Sequence, residues 1–251
     1  KDMEKEKFKF PTEIIELPSN GLIYDKENPL SSGKIEMKYM TAKEEDILTN
    51  QSYITNGTVL DKLLDALIVS EVDYNDIIVG DKNALLIAAR ILGYGNDYEI
   101  EYKGEKVKID LSVIENKPLD KSQFEQGKNE FPFTLPKSGT IITFKLLTHG
   151  DEGKIEKELK GLKKINPNAS VDLSTRLKYM IVSVDGSSEV KDIREFIDNY
   201  FLAQDSRAFR NHIRDFQPDV NLTVTVNTRQ NGDEDIDVPI GLNFFWPDAN
   251  L

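Results

Sequence analysis

The stretch Asp205-Ser-Arg-Ala-Phe-Arg-Asn-His-Ile-Arg214 lies at the centre of the C-terminal segment and indicates a helix. Phe209 and Ile213 stand four positions apart, so on a helix they share one face. Asp205 is a candidate N-cap, and Pro218 ends the helix because proline cannot continue it. We therefore predict a helix between these two residues, with an apolar side that can pack on a core.

The residues around this helix extend the pattern to a module of two helices and a β-hairpin. Ser188 is predicted to cap the first helix. Its apolar stripe consists of Val190, Ile193, Phe196, Ile197, Tyr200 and Phe201. After Pro218 apolar and polar residues alternate, and Asn231-Gly232 supplies a turn. The face of the returning strand is predicted to carry Ile236, Val238, Ile240 and Leu242. The module ends in Phe244-Phe-Trp-Pro247, which contains the only tryptophan.

The first part of the chain, residues 1–114, predicts a β-ribbon, a layer of short helices and a hairpin. Thr41-Ala-Lys-Glu44 has the spacing of a capping box, and Asp81 is a candidate cap for a later helix. From Asp97 onward the apolar period changes to two, and Lys103-Gly-Glu105 supplies the turn of a hairpin.

The middle part, residues 115–187, predicts a second hairpin and two helices. The first helix carries Ile155, Leu159, Leu162 and Ile165 on one side, and its charged face is most simply a solvated one. The second is predicted over 173–184, although Met180-Ile-Val-Ser-Val184 also fits a strand. With residues 188–251 as the third part, we expect an α+β fold of short helices and several antiparallel β-hairpins, without a parallel doubly wound sheet.

The composition excludes several classes of function. The formal net charge of -12 disfavours nucleic-acid binding, which needs a basic surface. The chain has no cysteine and only two histidines, so disulfides, thiol catalysis and zinc binding are not expected. No apolar run approaches the roughly 20 residues that span a bilayer, and the start lacks the apolar region of a signal peptide. We expect a soluble protein, made in a cytoplasm, that does not insert into a membrane.

Three candidate sites have simpler structural interpretations. Ser206, His212 and Asp215 lie on one predicted helix, but a spacing of six puts the serine and the histidine on different faces. Gly93-Tyr-Gly95 is too short for a nucleotide-binding fingerprint and fits a helix end. The acidic run 233–237 lacks the ligand spacing of a calcium loop. We predict no catalytic, cofactor-binding or metal site.

Five residues are candidates for contact with a partner protein. Arg207, Arg210 and Arg214 recur at helical spacing and can bind acidic groups, although pairing within this acidic chain is the simpler interpretation. Phe245 and Trp246 are either core residues or an anchor in another chain. Strand alternation would place them on opposite faces, with Phe245 as the preferred partner contact, so truncating Phe245 and Arg210 should weaken association without unfolding the chain.

Three groups of residues carry a resemblance to a known family. The first comprises Leu17-Pro-Ser-Asn-Gly-Leu-Ile-Tyr24, Gly33-Lys-Ile-Glu-Met-Lys-Tyr-Met-Thr41 and Glu44-Glu-Asp-Ile-Leu48. The second comprises Asn56-Gly57, Leu60-Asp-Lys-Leu-Leu64, Asp81, Leu85-Leu86 and Arg90-Ile-Leu-Gly-Tyr-Gly95. The third comprises Phe196-Ile-Asp198, Asp205-Ser-Arg-Ala-Phe-Arg210, Pro218-Asp-Val220 and Phe244-Phe-Trp-Pro247. Together and in this order they resemble the T4-like bacteriophage baseplate protein family, which includes hub subunits and hub-assembly proteins.

The resemblance implies a role in a contractile-tail baseplate through contacts with other baseplate or hub proteins, in copy numbers set by the symmetry of the tail. Some family members have cysteine pairs at two hairpins, where this chain has Tyr102-Lys-Gly-Glu105 and Asn227-Thr-Arg-Gln-Asn-Gly232, so no metal is expected here. One alternative is a transient hub-assembly chaperone that is absent from the mature virion. Another, from a different class, is a glycan hydrolase that uses two carboxylates.

Overall fold

The computed structural model describes residues 11–245, in which groups of helices and groups of antiparallel strands follow one another along the chain. The helices are α1 Ala42–Leu48, α2 Gln51–Asn56, α3 Val59–Leu67, α4 Val79–Tyr94, α5 His149–Ile165, α6 Asp172–Met180, α7 Val190–Asn199, α8 Ala203–Phe216 and α9 Leu242–Phe245. The strands are β1 Thr12–Glu16, β2 Lys34–Lys38, β3 Asp97–Tyr102, β4 Glu105–Asp110, β5 Phe131–Thr134, β6 Ile141–Phe144, β7 Ile181–Val184, β8 Thr223–Thr228 and β9 Gly232–Asp237.

The strands form four small sheets, β1-β2, β3-β4, β5-β6-β7 and β8-β9, and every strand pair in the described residues is antiparallel. The predicted α+β class without a parallel sheet is therefore confirmed for this part of the chain. None of its helices is long and apolar enough to cross a bilayer.

The predicted turns of the β3-β4 and β8-β9 hairpins are confirmed. Lys103 and Gly104 both have positive φ (49° and 81°), and Tyr102 pairs with Glu105 across the turn. In the second hairpin Thr228 pairs with Gly232, whose φ is 72°. Tight hairpin turns require positive φ, so these turns select residues that tolerate it.

The predicted capping box at the start of α1 is also confirmed. The backbone N–H of Thr41 donates to the Glu44 carboxylate at 2.8 Å, and Lys38 pairs with the same carboxylate at 2.8 Å. At the end of α2, Gly57 adopts φ 70° and closes the helix as a left-handed cap.

The prediction of one helix over 173–184 is wrong for its last four residues. Helix α6 ends at Met180, and residues 181–184 form β7, which pairs with β6. The β-branched residues Ile181, Val182 and Val184 favour an extended backbone, and the edge of β6 supplies the hydrogen-bond partners.

The predicted N-caps at Ser188, Asp205 and Asp81 are wrong. Helix α7 begins after Glu189, and α8 and α4 begin two residues before the predicted aspartates. Asp81 and Asp205 are therefore third residues of their helices, and both are fully buried. Their carboxylates bind distant loops instead of capping their own helices.

The C-terminal end departs from the predicted strand. Strand β9 ends at Asp237, and Leu242 begins the short helix α9, so Ile240 and Leu242 do not continue a strand face. Phe244 and Phe245 are both 1% exposed, and their rings contact each other edge to face. Trp246 and Pro247 lie outside the described residues.

Apart from Ile155, the buried apolar residues of the described chain belong to one contiguous cluster. Leu63 comes from the first predicted segment, Phe144 from the second and Phe209 from the third, and all three are fully buried. The division into segments 1–114, 115–187 and 188–251 stays a prediction about domains.

Candidate functional site

The three arginines of α8 lie on its exposed side, opposite the buried Phe209. Arg210 donates from Nε to the Ser206 carbonyl within the same helix at 3.3 Å, and Arg214 pairs with the adjacent Asp215 at 3.1 Å. Arg207 has no hydrogen bond or ion pair with any described residue. Within residues 11–245, therefore, none of the three guanidinium groups is paired with an acidic group of another element.

A shallow groove of about 340 Å³ runs along the same side of α8. Its lining comprises Ala203, Gln204, Arg207, Ala208 and Asn211. Tyr200 and Leu202, just before the helix, are 64% and 45% exposed. The surface is therefore cationic with apolar neighbours, which is typical of a site that binds carboxylate-bearing protein groups. We call this surface the arginine face.

The expectation that Phe245 contacts a partner is wrong for this fold. Its side chain is 1% exposed because the chain turns into α9, which buries both phenylalanines against the body. Phe244 also packs edge to face on Tyr98, with ring centroids 5.0 Å apart. The other aromatic candidate, Trp246, is outside the described residues.

The candidate triad on α8 is not assembled. No hydrogen bond within the described chain joins Ser206, His212 and Asp215. The His212 ring stacks on Phe133 with centroids 4.5 Å apart, and burial lowers the pKa of His212. His212 is thus an aromatic packing residue of the helix.

An open cleft of about 870 Å³ contains the main polar cluster that the sequence pattern does not predict. Asp61 comes from α3, Lys82 from α4 and His149 from the first turn of α5, while Tyr74 precedes α4. Tyr74 donates from its hydroxyl to Asp61 at 2.6 Å, and Lys82 donates to the same oxygen at 3.1 Å. Lys82 Nζ also lies 3.3 Å from His149 Nδ1.

Two members of the cluster, Tyr74 and His149, have shifted pKa values. Burial raises the pKa of Tyr74, and the hydrogen bond to Asp61 raises it further, so the phenol stays protonated. Burial lowers the pKa of His149; Asp61 opposes the shift, and Lys82 adds to it. The imidazole is therefore neutral at pH 7.

A second ion pair lies in the wall of the cleft. Both guanidinium Nη atoms of Arg176 donate to Glu152, at 2.7 and 2.6 Å. The same pair borders a smaller cavity of about 160 Å³ beneath α5. The cleft thus combines two internally neutralised charge clusters, and in residues 11–245 no group of three metal-ligating side chains comes together.

The sequence does not predict the cleft, because the residues of the cleft come from positions between 57 and 176 and form no short motif. The only available signal was the scarcity of histidine, since His149 is one of two. A single histidine does not indicate a site without its neighbours in space.

A buried hydrogen-bond network joins two of the stretches that carry the family resemblance. The Asp81 carboxylate accepts from the Ser19 backbone N–H at 3.0 Å, from the Ser19 hydroxyl at 2.6 Å and from the Tyr24 hydroxyl at 2.6 Å. The Tyr24 hydroxyl in turn accepts from the backbone N–H of Ile78 at 3.1 Å. The loop 17–24 is thereby attached to the start of α4.

Other contacts join α4 to the C-terminal stretches. A Cβ at Gly80 would lie 1.7 Å from the Pro218 carbonyl oxygen, so the two backbones are in direct contact there. Asn83 donates to Asp219 at 3.1 Å, and Arg90 donates to the Phe244 carbonyl at 2.8 Å.

The sequence matches no family model, no curated protein and no solved structure.

Proposed function

We propose that the chain is a non-enzymatic structural component or assembly factor of a contractile-tail baseplate hub that acts through contacts with other baseplate proteins. The observation that carries the proposal is the convergence of the resembling stretches on one framework. Asp81 binds Ser19 and Tyr24, Gly80 contacts Pro218, and Arg90 binds the Phe244 carbonyl. The resemblance therefore concerns residues that organise a fold, as expected if the shared property is an architecture.

The arginine face is the surface that we assign to the partner. Its guanidinium groups are exposed, and a groove with small side chains runs beside Arg207. Guanidinium groups bind carboxylates in a fixed bidentate geometry, which gives a protein contact its register. An acidic patch on a neighbouring hub protein is the expected complement.

The alternative of a carboxylate-dependent glycan hydrolase finds less support. Burial raises the pKa of Asp81 to about 6, which suits a general acid, but this carboxyl is fully buried and outside the cleft. In the cleft itself Asp61 is bound by Tyr74 and Lys82, and Glu152 by Arg176. The carboxyl group with the raised pKa thus lies outside the open cleft.

Mass spectrometry of contractile-tailed particles and of their baseplate intermediates, purified from cells that produce the chain, tests this function. A structural component is expected in both samples, and an assembly factor only in the intermediates. Absence from both would contradict the proposal. Enzymatic release of sugars from cell-wall glycan by the purified chain would favour the hydrolase.

The assignment of the arginine face is tested with a charge-reversed variant, Arg207→Glu/Arg210→Glu/Arg214→Glu. We expect it to fold normally and to be lost from the particles or intermediates. The matched control, Lys154→Glu/Lys157→Glu/Lys160→Glu, reverses three charges on α5 and should be retained. Equal retention of both variants would exclude the arginine face as the contact.

A further inference from the structure

The apolar stripe of α5 continues beyond the body of the protein. Ile155 is 1% exposed, but Leu162 is 36% exposed and Ile165, the last residue of the helix, is 85% exposed. Leu173, in the following helix α6, is 46% exposed. The final turn of α5, residues 162–165, together with Leu173 is called the tip. An amphipathic stripe with an uncovered end is typical of a surface that another molecule covers.

The tip is cationic in a chain that is strongly acidic. Lys163 and Lys164 are exposed and form no ion pair with any described residue, whereas the whole chain has a net charge of -12. An acidic surface with an apolar floor is therefore the complement of the tip. A second copy of the chain is a source of such a surface.

The cleft, which α5 lines from His149 to Glu156, has this chemistry. The Asp61–Lys82 pair and the Glu152–Arg176 pair are each neutral as a whole. The rest of the lining has three exposed carboxylates and one cation. The carboxylates belong to Asp65, Asp73 and Glu156, and the cation is Lys62. Half-buried apolar groups of the lining are Val72, Tyr74 and Val79. The volume of about 870 Å³ admits the side chains of one helical turn.

The tip and the cleft of one chain cannot meet. Helix α5 has 17 residues and begins at His149 in the cleft. It lines the cleft as far as Glu156 and carries the tip from Leu162, so at about 1.5 Å per residue roughly 9 Å of rigid helix separates the two surfaces at their nearest points on α5. Any contact between the two surfaces must therefore join different molecules.

We propose that the tip of one copy docks in the cleft of a second copy. Ile165 and Leu162 contact the apolar floor, and Lys163 and Lys164 lie beside the rim carboxylates. The contact joins two different surfaces, so it is head-to-tail and extends to rings or short filaments. It requires only the surfaces of this chain and does not depend on the baseplate function.

Analytical ultracentrifugation of the purified chain, from about 1 µM to about 1 mM, tests the proposal. We expect the average mass to rise above the 28.5 kDa of one chain with concentration, and to fall when salt is added. A wild-type chain that stays at the mass of a monomer over this range would overturn the proposal.

Two variants identify the surfaces. The tip variant is Lys163→Glu/Lys164→Glu/Ile165→Glu, and the cleft variant is Asp65→Lys/Glu156→Lys. The tip variant should associate at least about tenfold more weakly than the wild type, because burying one large apolar side chain is worth about that factor. The cleft variant should also associate more weakly, because it places like charges beside Lys163 and Lys164. All the substituted side chains are exposed, so far-UV circular dichroism and thermal unfolding should match those of the wild type.

Mixing the two variants provides the decisive measurement. The mixture retains one intact tip, on the cleft variant, and one intact cleft, on the tip variant. We expect 1:1 dimers and no larger species. A mixture that stays monomeric, or a tip variant that still associates by itself, would contradict docking of the tip in the cleft.

A matched control replaces another exposed apolar residue and its neighbouring lysine. Val190 is 66% exposed on α7 and is followed by Lys191. Val190→Glu/Lys191→Glu should associate like the wild type. Equal loss of association in this control would mean that general acidification, and not the tip, weakens the contact.

Discussion

Arg90 donates from Nε to the carbonyl oxygen of Phe244 at 2.8 Å, although 154 positions separate the two residues in the chain. The other guanidinium nitrogens donate to the carbonyls of Gly95 and Asp97, at 3.0 and 3.2 Å. Arg90 is 5% exposed, and its charge lies over the rings of Tyr94, Tyr98 and Phe244. One side chain thereby joins α4, the following turn and the C-terminal helix.

Arg90→Lys should lower the free energy of unfolding by about 2–4 kcal/mol, because an ammonium cannot span three carbonyls held in the guanidinium geometry. Denaturant unfolding followed by circular dichroism measures the loss. Arg207→Lys, at an exposed position, is the matched control and should change stability by less than about 0.5 kcal/mol. Similar values for both variants would show that the three carbonyl contacts contribute little.

Gly80→Ala should destabilise the protein by at least about 2 kcal/mol, because the added Cβ would overlap the Pro218 carbonyl and force two backbones apart. Gly161→Ala is the control, since a Cβ there meets nothing within 4 Å on an exposed helix. It should stabilise by about 0.5–1 kcal/mol. Thermal unfolding compares the two substitutions, and opposite signs are expected.

Tyr24→Phe should destabilise the protein by about 1–3 kcal/mol at pH 7.5, and by less at pH 4.5. Burial raises the pKa of Asp81 to about 6, above the value of about 3.9 in an unfolded chain. The contribution of the Asp81 carboxyl to the free energy of unfolding is therefore complete below about pH 4 and is lost as the pH rises through 6. Removing the Tyr24 hydroxyl takes a donor from the ionised carboxylate and so enlarges the loss at high pH.

Urea unfolding at the two pH values checks the pH dependence. Tyr53→Phe is the matched control, because the Tyr53 hydroxyl has no hydrogen bond among residues 11–245, and it should have little effect at either pH. A Tyr24→Phe loss that is equal at both pH values would mean that Asp81 does not change its ionisation state over this range.

Phe245→Ala should reduce the free energy of unfolding by about 3–5 kcal/mol, since a fully buried ring leaves a cavity. This replaces the expectation that Phe245 contacts a partner and can be removed without unfolding. Tyr200→Ala, at a side chain that is 64% exposed, is the control and should cost less than about 1 kcal/mol. Calorimetric melting of both variants provides the comparison, and a small cost for Phe245→Ala would restore the surface interpretation.

Local chemistry made several elements predictable. The capping box at Thr41, the turn at Lys103-Gly104 and the Asn231-Gly232 turn each depend on residues within four positions of one another. The spacing of the α8 arginines likewise placed them on one side of the helix, and that side is exposed. Such features follow from backbone geometry alone and need no distant partner.

Distant contacts produced the errors. An aspartate near the start of a helix gives the same sequence pattern whether it is the N-cap or a residue of the first turn. Only the hydrogen-bond partners of its carboxylate distinguish the two positions. Asp81 binds Ser19, 62 positions away, and Asp205 accepts from the Lys137 backbone N–H, 68 positions away. Residues 181–184 became a strand because β6 offered an edge.

The sequence by itself determined the α+β class, the hairpins and the arginine face, because each depends on the periodicity or turn chemistry of neighbouring residues. Only the tertiary structure decided that Phe245 is buried and that Asp61, Lys82 and His149 share a cleft. Those arrangements depend on how helices far apart in the chain pack on one core, and packing has no signature in local spacing.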